Sequence, residues 1–191
     1  MKVTVGVSNH HVHLTGDDFK ILFGDFKLTK RNDLNQPNQF ACNERVNIIG
    51  PHGTLENIII VGPFREYTQV EVSKTDCYKL GINPPVRDSG DLIGASQITI
   101  VGPCGKIEKE CAIIANRHIH VDKDILREKN LIGVKEVSIK IEGEKSGMIE
   151  HVHIKENEKA CFELHLDTDD ANAFLLNNGD IVEIINKEGE I

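Results

Sequence analysis

Two pairs of histidines have the spacing expected of a metal site. His11 and His13 form the first pair, His118 and His120 form the second, and each pair follows an apolar run that is typical of a buried β-strand. In an extended backbone, side chains at positions i and i+2 leave the same face from Cα atoms roughly 7 Å apart. Two imidazoles placed in this way can reach one ion, so the sequence predicts a metal site next to each strand.

A third pair of the same spacing occurs at His151 and His153. Nine histidines scattered at random over this length would give only about 0.4 such pairs, so three pairs indicate a common cause. These two residues alternate with apolar side chains in a predicted strand, however. They fit a pair of ligands or the solvated face of that strand equally well.

Each predicted site lacks one ligand, because a catalytic zinc ion usually takes three protein ligands and keeps one position open. The candidates for the missing ligands are Glu71, His52, His151, His153 and His165. His165 ends a predicted strand directly before an acidic helix start, the same kind of junction at which the first histidine pair lies.

Arginine side chains provide candidate anion sites. Arg65 follows Gly-Pro in a predicted loop, and its guanidinium is suited to hold two oxygens of a phosphate. Arg87 and Ser89, beside Gly90, form a second possibility, and an ordinary exposed arginine is the alternative for each. None of the five cysteines has a neighbour that would activate it as a nucleophile.

Length and composition set limits on the class of protein. A chain of 191 residues can form one large domain or two small ones. Its formal charge of −8 argues against a general nucleic-acid binder, and no apolar stretch is long enough to cross a membrane. The start of the sequence does not resemble a signal peptide, so a cytoplasmic location with reduced cysteines is predicted.

The pattern of apolar residues predicts many short strands and a few small helices, which is typical of β-barrels with helical caps. Helices are predicted to begin after Thr15 and after Asp167, whereas residues 31–43 are predicted to be irregular. Three antiparallel strands are predicted at 134–142, 147–155 and 160–166. The run 98–103 echoes the run 58–63, and together with the two histidine pairs it predicts an internal pseudo-repeat.

Four segments together resemble one family. They are Gly6 to Leu14, Gly62 to Ser73, Ala115 to His120 and His165 to Ala173, and they span residues 3 to 173. In this order they resemble the phosphate propanoyltransferases of the PduL type, which exchange coenzyme A for phosphate on a short acyl group.

The resemblance implies a mainly β fold with two small β-barrel domains capped by short α-helices. One domain would combine residues 1–9 with 117–191, the other would comprise residues 10–116, and the active site would lie between them. It also implies two Zn²⁺ ions per chain. One ion would be held by His11, His13 and Glu71, and the other by His118, His120 and His165.

The resemblance further implies that Arg65 is the catalytic residue that binds phosphate. It places coenzyme A near Ser8, Asn9, His10, Ser89 and Asn172. His10 stands where the family usually has arginine, which changes one expected contact. The pair at His151 and His153 is not part of the family pattern and is therefore interpreted as a local feature.

The activity implied by the resemblance is a zinc-dependent exchange of acyl-CoA and phosphate for acyl phosphate and coenzyme A, with a propanoyl or acetyl group. A homodimer is expected, with small-molecule substrates and no nucleic-acid or membrane partner. The chain shows no microcompartment-targeting extension, so a free cytoplasmic enzyme is expected.

Two alternatives follow from the residues alone. A cupin-like metal-dependent hydrolase or dioxygenase also uses His-x-His on a β-barrel, although its carboxylate lies a few residues downstream and Glu71 is 58 residues from His13. A non-catalytic metal-binding protein is the other alternative, and it would have closed coordination spheres.

Overall fold

The computed structural model describes residues 1–159 and 161–185, and these residues divide into two compact units. One unit combines Met1–Ser8 with the chain from Asn116 onward, and the other comprises Asn9–Ala115. The described residues are mainly strands, as the sequence predicts. In chain order the elements are β1 (Lys2–Ser8), β2 (His11–His13), α1 (Gly16–Phe23), β3 (Lys30–Asp33), β4 (Phe40–Ile49), β5 (Thr54–Gly62), β6 (Gln69–Glu71), α2 (Lys74–Leu80), β7 (Val86–Arg87), β8 (Ser96–Val101), β9 (Lys106–Ala115), β10 (His118–Val121), α3 (Lys123–Glu128), β11 (Glu136–Ile141), β12 (Gly147–Glu156), β13 (Glu163–Asp167), α4 (Thr168–Ala173) and β14 (Ile181–Ile185).

Six strands of the unit 9–115 form a closed barrel. The order round the barrel is β4, β5, β2, β6, β9 and β8, and it closes because β8 pairs with both β9 and β4. Strands β3 and β7 extend this sheet at β4 and β9. Its core contains Val12, Val70 and Ala112, one from each of three adjacent strands.

The unit that contains both chain ends is also a closed six-stranded barrel. Its order is β1, β13, β10, β12, β11 and β14. The core contains Val5, Leu164 and Ile119, again from three adjacent strands. Because closure pairs the strands on both sides, the barrel has no open sheet edge.

The two barrels have the same topology. In each, the strand with the histidine pair (β2 or β10) lies between a parallel neighbour (β5 or β12) and an antiparallel neighbour (β6 or β13). On the other side of β6 lies β9, which runs parallel to it, and on the other side of β13 lies β1, which again runs parallel. The strand that leads into each histidine pair, β1 or β9, therefore belongs to the barrel that contains the other pair.

Local details support this pseudo-repeat. Thr15 caps α1 four residues after His11, and Asp122 caps α3 four residues after His118. The parallel neighbours β5 and β12 each contain one residue in the left-handed region. In β5 it is Asn57 (φ 59°), two residues before Ile59, which faces His11. In β12 it is His151 (φ 56°), two residues before His153, which faces His118.

Three expectations from the sequence are corrected. The echo between 58–63 and 98–103 is not part of the repeat, because these segments form β5 and β8 of one barrel and β5 is related to β12 instead. The strands at 134–142, 147–155 and 160–166 are not one antiparallel set. Strand β12 is antiparallel to β11 but parallel to β10, and β13 lies between β10 and β1. Residue 160 lies outside the described residues.

The third correction concerns segments that were expected to be irregular. The stretch 31–43 includes most of β3 and the start of β4. The first histidine pair, expected at a junction between a strand and a helix, is itself the three-residue strand β2. A strand this short has too little sequence for a pattern of period two to reveal it.

Candidate metal centres

The first cluster is formed by His11, His13 and Glu71 on the neighbouring strands β2 and β6. His11 and Glu71 lie directly opposite each other in the antiparallel register. Their side chains leave the face opposite Val12 and Val70, which are core residues, because successive side chains of a strand alternate. The Glu71 carboxylate lies 3.6 Å from His11 Nε2 and 4.0 Å from His13 Nε2.

The two imidazoles of this cluster present their Nε2 atoms to each other at 3.2 Å. His11 Nδ1 lies 2.9 Å from the carbonyl oxygen of Asn9, and His13 Nδ1 lies 3.1 Å from that of Val61. A carbonyl only accepts hydrogen bonds, so both Nδ1 atoms carry the proton and, in the neutral rings, both Nε2 atoms present a lone pair. Two buried lone pairs this close need a cation between them, and the cluster therefore fits a metal ion.

The second cluster is formed by His118, His120 and His165 on β10 and β13. His118 faces His165 in the antiparallel register, as His11 faces Glu71 in the first cluster. His118 Nε2 and His120 Nε2 are 3.1 Å apart. The ring of His165 lies 5.2 Å from that of His118 and 4.6 Å from that of His120, measured between centroids.

The Nδ1 atoms of the second cluster are fixed in the same way. His118 Nδ1 donates to the carbonyl oxygen of Asn116 at 2.7 Å, and His120 Nδ1 donates to Oδ1 of Asn157 at 2.7 Å. The Nε2 lone pairs again face each other. In each of the two clusters, the candidate ligand atoms all lie within 4.8 Å of one another. This spacing allows one ion to be bound by three side chains.

Two histidines of the second cluster, His118 and His120, are neutral at neutral pH. Burial, together with the neighbouring rings of His120 and His165, lowers the pKa of His118 to about 3. Burial likewise lowers the pKa of His120 to about 4, against the hydrogen bond to Asn157, which raises it. Neutral imidazole is the form that binds a metal ion, so these rings are ready to bind without first losing a proton.

Arg65 is connected to the first cluster by side-chain contacts. Its guanidinium donates to Ser89 Oγ at 3.0 Å and to the Tyr67 hydroxyl at 3.2 Å. Ser89 Oγ also accepts from Gln69 Nε2 at 2.9 Å, and the same Nε2 donates to Glu71 at 2.7 Å. Sequence reasoning did not identify Tyr67 or Gln69 as residues of the site.

The other predicted site residues are placed as follows. His10 Nδ1 lies 3.1 Å from both carboxylate oxygens of Asp76 in the first turn of α2. Burial alone would raise the pKa of Asp76, but hydrogen bonds from His10 and Ser73 hold it below its ordinary value. Asn9 accepts the backbone N–H of His10 on its side chain. Ser8 ends β1, and Asn172 is exposed in α4.

The remaining histidines lie outside both clusters. His52 is exposed in the turn between β4 and β5. His151 and His153 lie 2.9 Å and 3.4 Å from the carboxylate of Glu136, and the side chain of His151 is 72% exposed. This surface arrangement agrees with the interpretation of that pair as a local feature.

The described part of the chain contains no helix that is long and apolar enough to span a membrane.

The fold and the two clusters define a protein of two six-stranded barrels, each with one candidate metal centre of three side chains. A profile described as phosphate propanoyltransferase matches residues 4–177. The phosphate propanoyltransferase of Thermotoga maritima is 46% identical over 189 residues, which cover 96% of this chain and 89% of that protein. The enzyme of Priestia megaterium is 48% identical over 183 residues, covering 93% and 83% respectively.

The chain therefore belongs to the phosphate propanoyltransferase family, as the resemblance of its motifs predicted. It is an acyltransferase that acts with phosphate on small-molecule substrates. Membership in this family leaves no support for the cupin-like alternative or for a non-catalytic metal-binding protein.

Proposed function

We propose that the chain catalyses the reversible conversion of acyl-CoA and phosphate into acyl phosphate and coenzyme A, with a zinc ion at each of the two clusters. The observation that carries the zinc assignment is the pair of Nε2 atoms at 3.2 Å in one cluster and at 3.1 Å in the other. Donor sets of two histidines with a carboxylate, and of three histidines, suit Zn²⁺ and leave a coordination position open.

The chemistry requires no nucleophile from the protein. A phosphate oxygen attacks the thioester carbonyl carbon, the carbon–sulfur bond breaks, and coenzyme A leaves as a thiolate. Burial raises the pKa of Cys42 to about 11 and that of Cys111 to about 12, and it also raises the pKa of Cys161. These thiols therefore stay protonated at neutral pH, which agrees with direct attack by phosphate.

Arg65 has the chemistry to hold the phosphate. Its guanidinium is already oriented by Ser89 and Tyr67, so it loses little side-chain freedom when an anion binds. Holding phosphate beside the thioester turns a bimolecular encounter into a fixed geometry. Zinc, when bound, supplies a positive charge that stabilises an oxyanion or a thiolate.

The coenzyme A contacts follow the family pattern and remain part of this proposal. They involve Ser8, Asn9, His10, Ser89 and Asn172. Because Asp76 accepts from His10 Nδ1 through both oxygens, the ring of His10 is oriented and leaves only its Nε2 atom to face a ligand, where arginine would offer several donors.

The proposed function is tested by an assay that follows phosphate-dependent release of coenzyme A from acetyl-, propanoyl- and butanoyl-CoA. We expect release from at least one of these substrates, and we expect it to stop when a chelator removes the metal and to return when zinc is added. Release that is insensitive to metal removal would contradict the zinc assignment. No release with any of the three would contradict the activity itself.

Two expectations from the sequence stay predictions, the homodimer and the cytoplasmic location. Light scattering on the purified chain measures the first, and cell fractionation measures the second.

A further inference from the structure

The pseudo-repeat pairs each residue of the first metal cluster with a residue of the second. Glu71 faces His11 and corresponds to His165, which faces His118. Two residues earlier on the same strands, Gln69 faces His13 and corresponds to Glu163, which faces His120. An acid and a neutral side chain have therefore exchanged places between the two sites.

Glu163 lies beside the second cluster and is nearly inaccessible to water. The residue is only 5% exposed, and its Oε2 atom lies 2.8 Å from His165 Nε2. Burial lowers the pKa of His120 overall, and the negative charge of Glu163 acts in the opposite direction. A buried carboxylate is costly unless it is paired with positive charge, so its position next to three histidines needs a cause.

The backbone of β1 makes room for this carboxylate. Gly6 pairs with His165 across the parallel strands β1 and β13. A Cβ atom at Gly6 would lie 2.9 Å from Glu163 Cδ and 3.2 Å from His165 Cδ2. Any other residue at this position would force the Glu163 carboxylate to shift and would crowd the ring of His165, so glycine leaves room for both side chains where they lie.

We propose that Glu163 is the positioning carboxylate of the second metal site, where it orients His165 and balances the charge of the bound ion. This inference rests on the proposed function in one respect, that a metal ion binds the second cluster. Three neutral imidazoles leave the two positive charges of such an ion uncompensated. A carboxylate in contact with a ligand histidine fixes the ring and strengthens binding by the ligand.

The first site receives its negative charge differently. There Glu71 is itself a candidate ligand, and Gln69 at the position equivalent to Glu163 holds it by a 2.7 Å hydrogen bond. Each site thus contains one carboxylate on the strand opposite the histidine pair. In the first site the acid is among the three candidate ligands, and in the second it is hydrogen-bonded to one of them.

The test measures metal affinity rather than turnover. The metal-free full chain and its Glu163→Gln variant are titrated with Zn²⁺ against a chromophoric chelator, and with Co²⁺ while the d–d absorption is recorded. Each titration is repeated with proteins that also carry the Glu71→Ala substitution, so that binding to the second cluster is measured separately. We expect Glu163→Gln to weaken the second site by about 10- to 100-fold and to leave the first unchanged.

The matched control is Glu142→Gln, in the same unit. The Glu142 side chain is 79% exposed and pairs with Lys140, so its loss should leave both affinities unchanged. Glu163→Asp keeps the charge but withdraws it by one methylene, and we expect an affinity between those of the parent and of Glu163→Gln. Far-UV circular dichroism of the metal-free proteins verifies that each is folded. If Glu163→Gln does not fold, the second-site zinc affinities of Glu163→Asp and of the parent are compared instead, and equal affinities would contradict the proposed role of Glu163.

The outcomes separate this inference from the proposed function. A parent protein that binds no ion at the second cluster would overturn both. A parent that binds two ions, with a Glu163→Gln variant of unchanged second-site affinity and Co²⁺ spectrum, would overturn the role of Glu163 and leave the proposed function intact. A Glu163→Asp variant that binds zinc as weakly as Glu163→Gln would contradict the charge argument.

Discussion

Gln69 donates a hydrogen bond of 2.7 Å to the carboxylate of Glu71, two residues further along the same strand. Gln69 has no exposed surface, and its amide oxygen accepts the backbone N–H of Gly90 at 2.8 Å. The amide can therefore point in only one direction. Because the same Nε2 donates to Ser89, which also accepts from Arg65, three hydrogen bonds connect the candidate phosphate arginine to the candidate metal ligand.

Replacing Gln69 by methionine tests this connection. The Gln69→Met side chain has a similar shape but loses the hydrogen bonds that the buried Gln69 amide makes with Gly90 and Glu71, so we expect the free energy of unfolding to fall by about 1–3 kcal/mol. The KM for phosphate should also rise, because Ser89 and Glu71 lose a shared partner. Urea unfolding and initial-rate kinetics measure the two effects. The exposed Gln97→Met is the control, and equal stabilities of the two variants would refute the argument.

The role of Arg65 is tested by a change that keeps its charge. Lysine cannot reproduce the guanidinium contacts with Ser89 and Tyr67, so Arg65→Lys should raise the KM for phosphate by about 10-fold or more, with a smaller effect on the KM for acyl-CoA. Arg65→Ala should have a larger effect of the same kind, and both variants should keep their metal. Arg31→Lys changes an exposed arginine and serves as the control. An unchanged phosphate dependence in Arg65→Ala would remove the assignment.

The ligand sets predict separate losses of metal. His13→Ala should leave the second ion in place, and His165→Ala should leave the first, so each variant should contain about one zinc per chain instead of two. Elemental analysis after gel filtration gives the ratio directly. His52→Ala, an exposed histidine outside both clusters, should keep both ions. Two ions retained in either ligand variant would show that the clusters are not the binding sites.

The depressed pKa values of His118 and His120 predict that the metal-free protein is sensitive to acid. In the unfolded chain these histidines have ordinary pKa values near 6.5, whereas burial lowers them to about 3 and about 4 in the folded chain. Below pH 6.5 the unfolded state therefore binds more protons, and the free energy of unfolding falls as the pH falls toward 4. The variant with His118→Gln and His120→Gln should show a shallower slope over this range in urea unfolding. Equal slopes would contradict the prediction.

The sequence was sufficient for features that depend on neighbouring residues. The spacing of His11 and His13 identifies two imidazoles on one face, and Thr15 and Asp167 predict the helix starts that the structure has, because caps are local. Without the family resemblance, the third ligands could not be chosen among several candidates. Glu71 is 58 residues from His13 and meets it only because β6 pairs with β2.

Long-range strand pairing was the part that residue patterns could not supply. An apolar run such as that of β1 shows that the strand is buried, but it does not show which barrel contains it. Glu163 was missed for a related reason. On the sequence it is an ordinary polar residue of an alternating strand, and its significance follows from the position opposite His120 and beside Gly6.

The most direct test of the central claim follows the phosphate-dependent release of coenzyme A while metal-free protein is titrated with Zn²⁺. Two clusters of three ligands predict a rate near zero without metal, and a plateau when about two ions per chain have been added. A full rate in protein shown by elemental analysis to contain no metal would contradict the account.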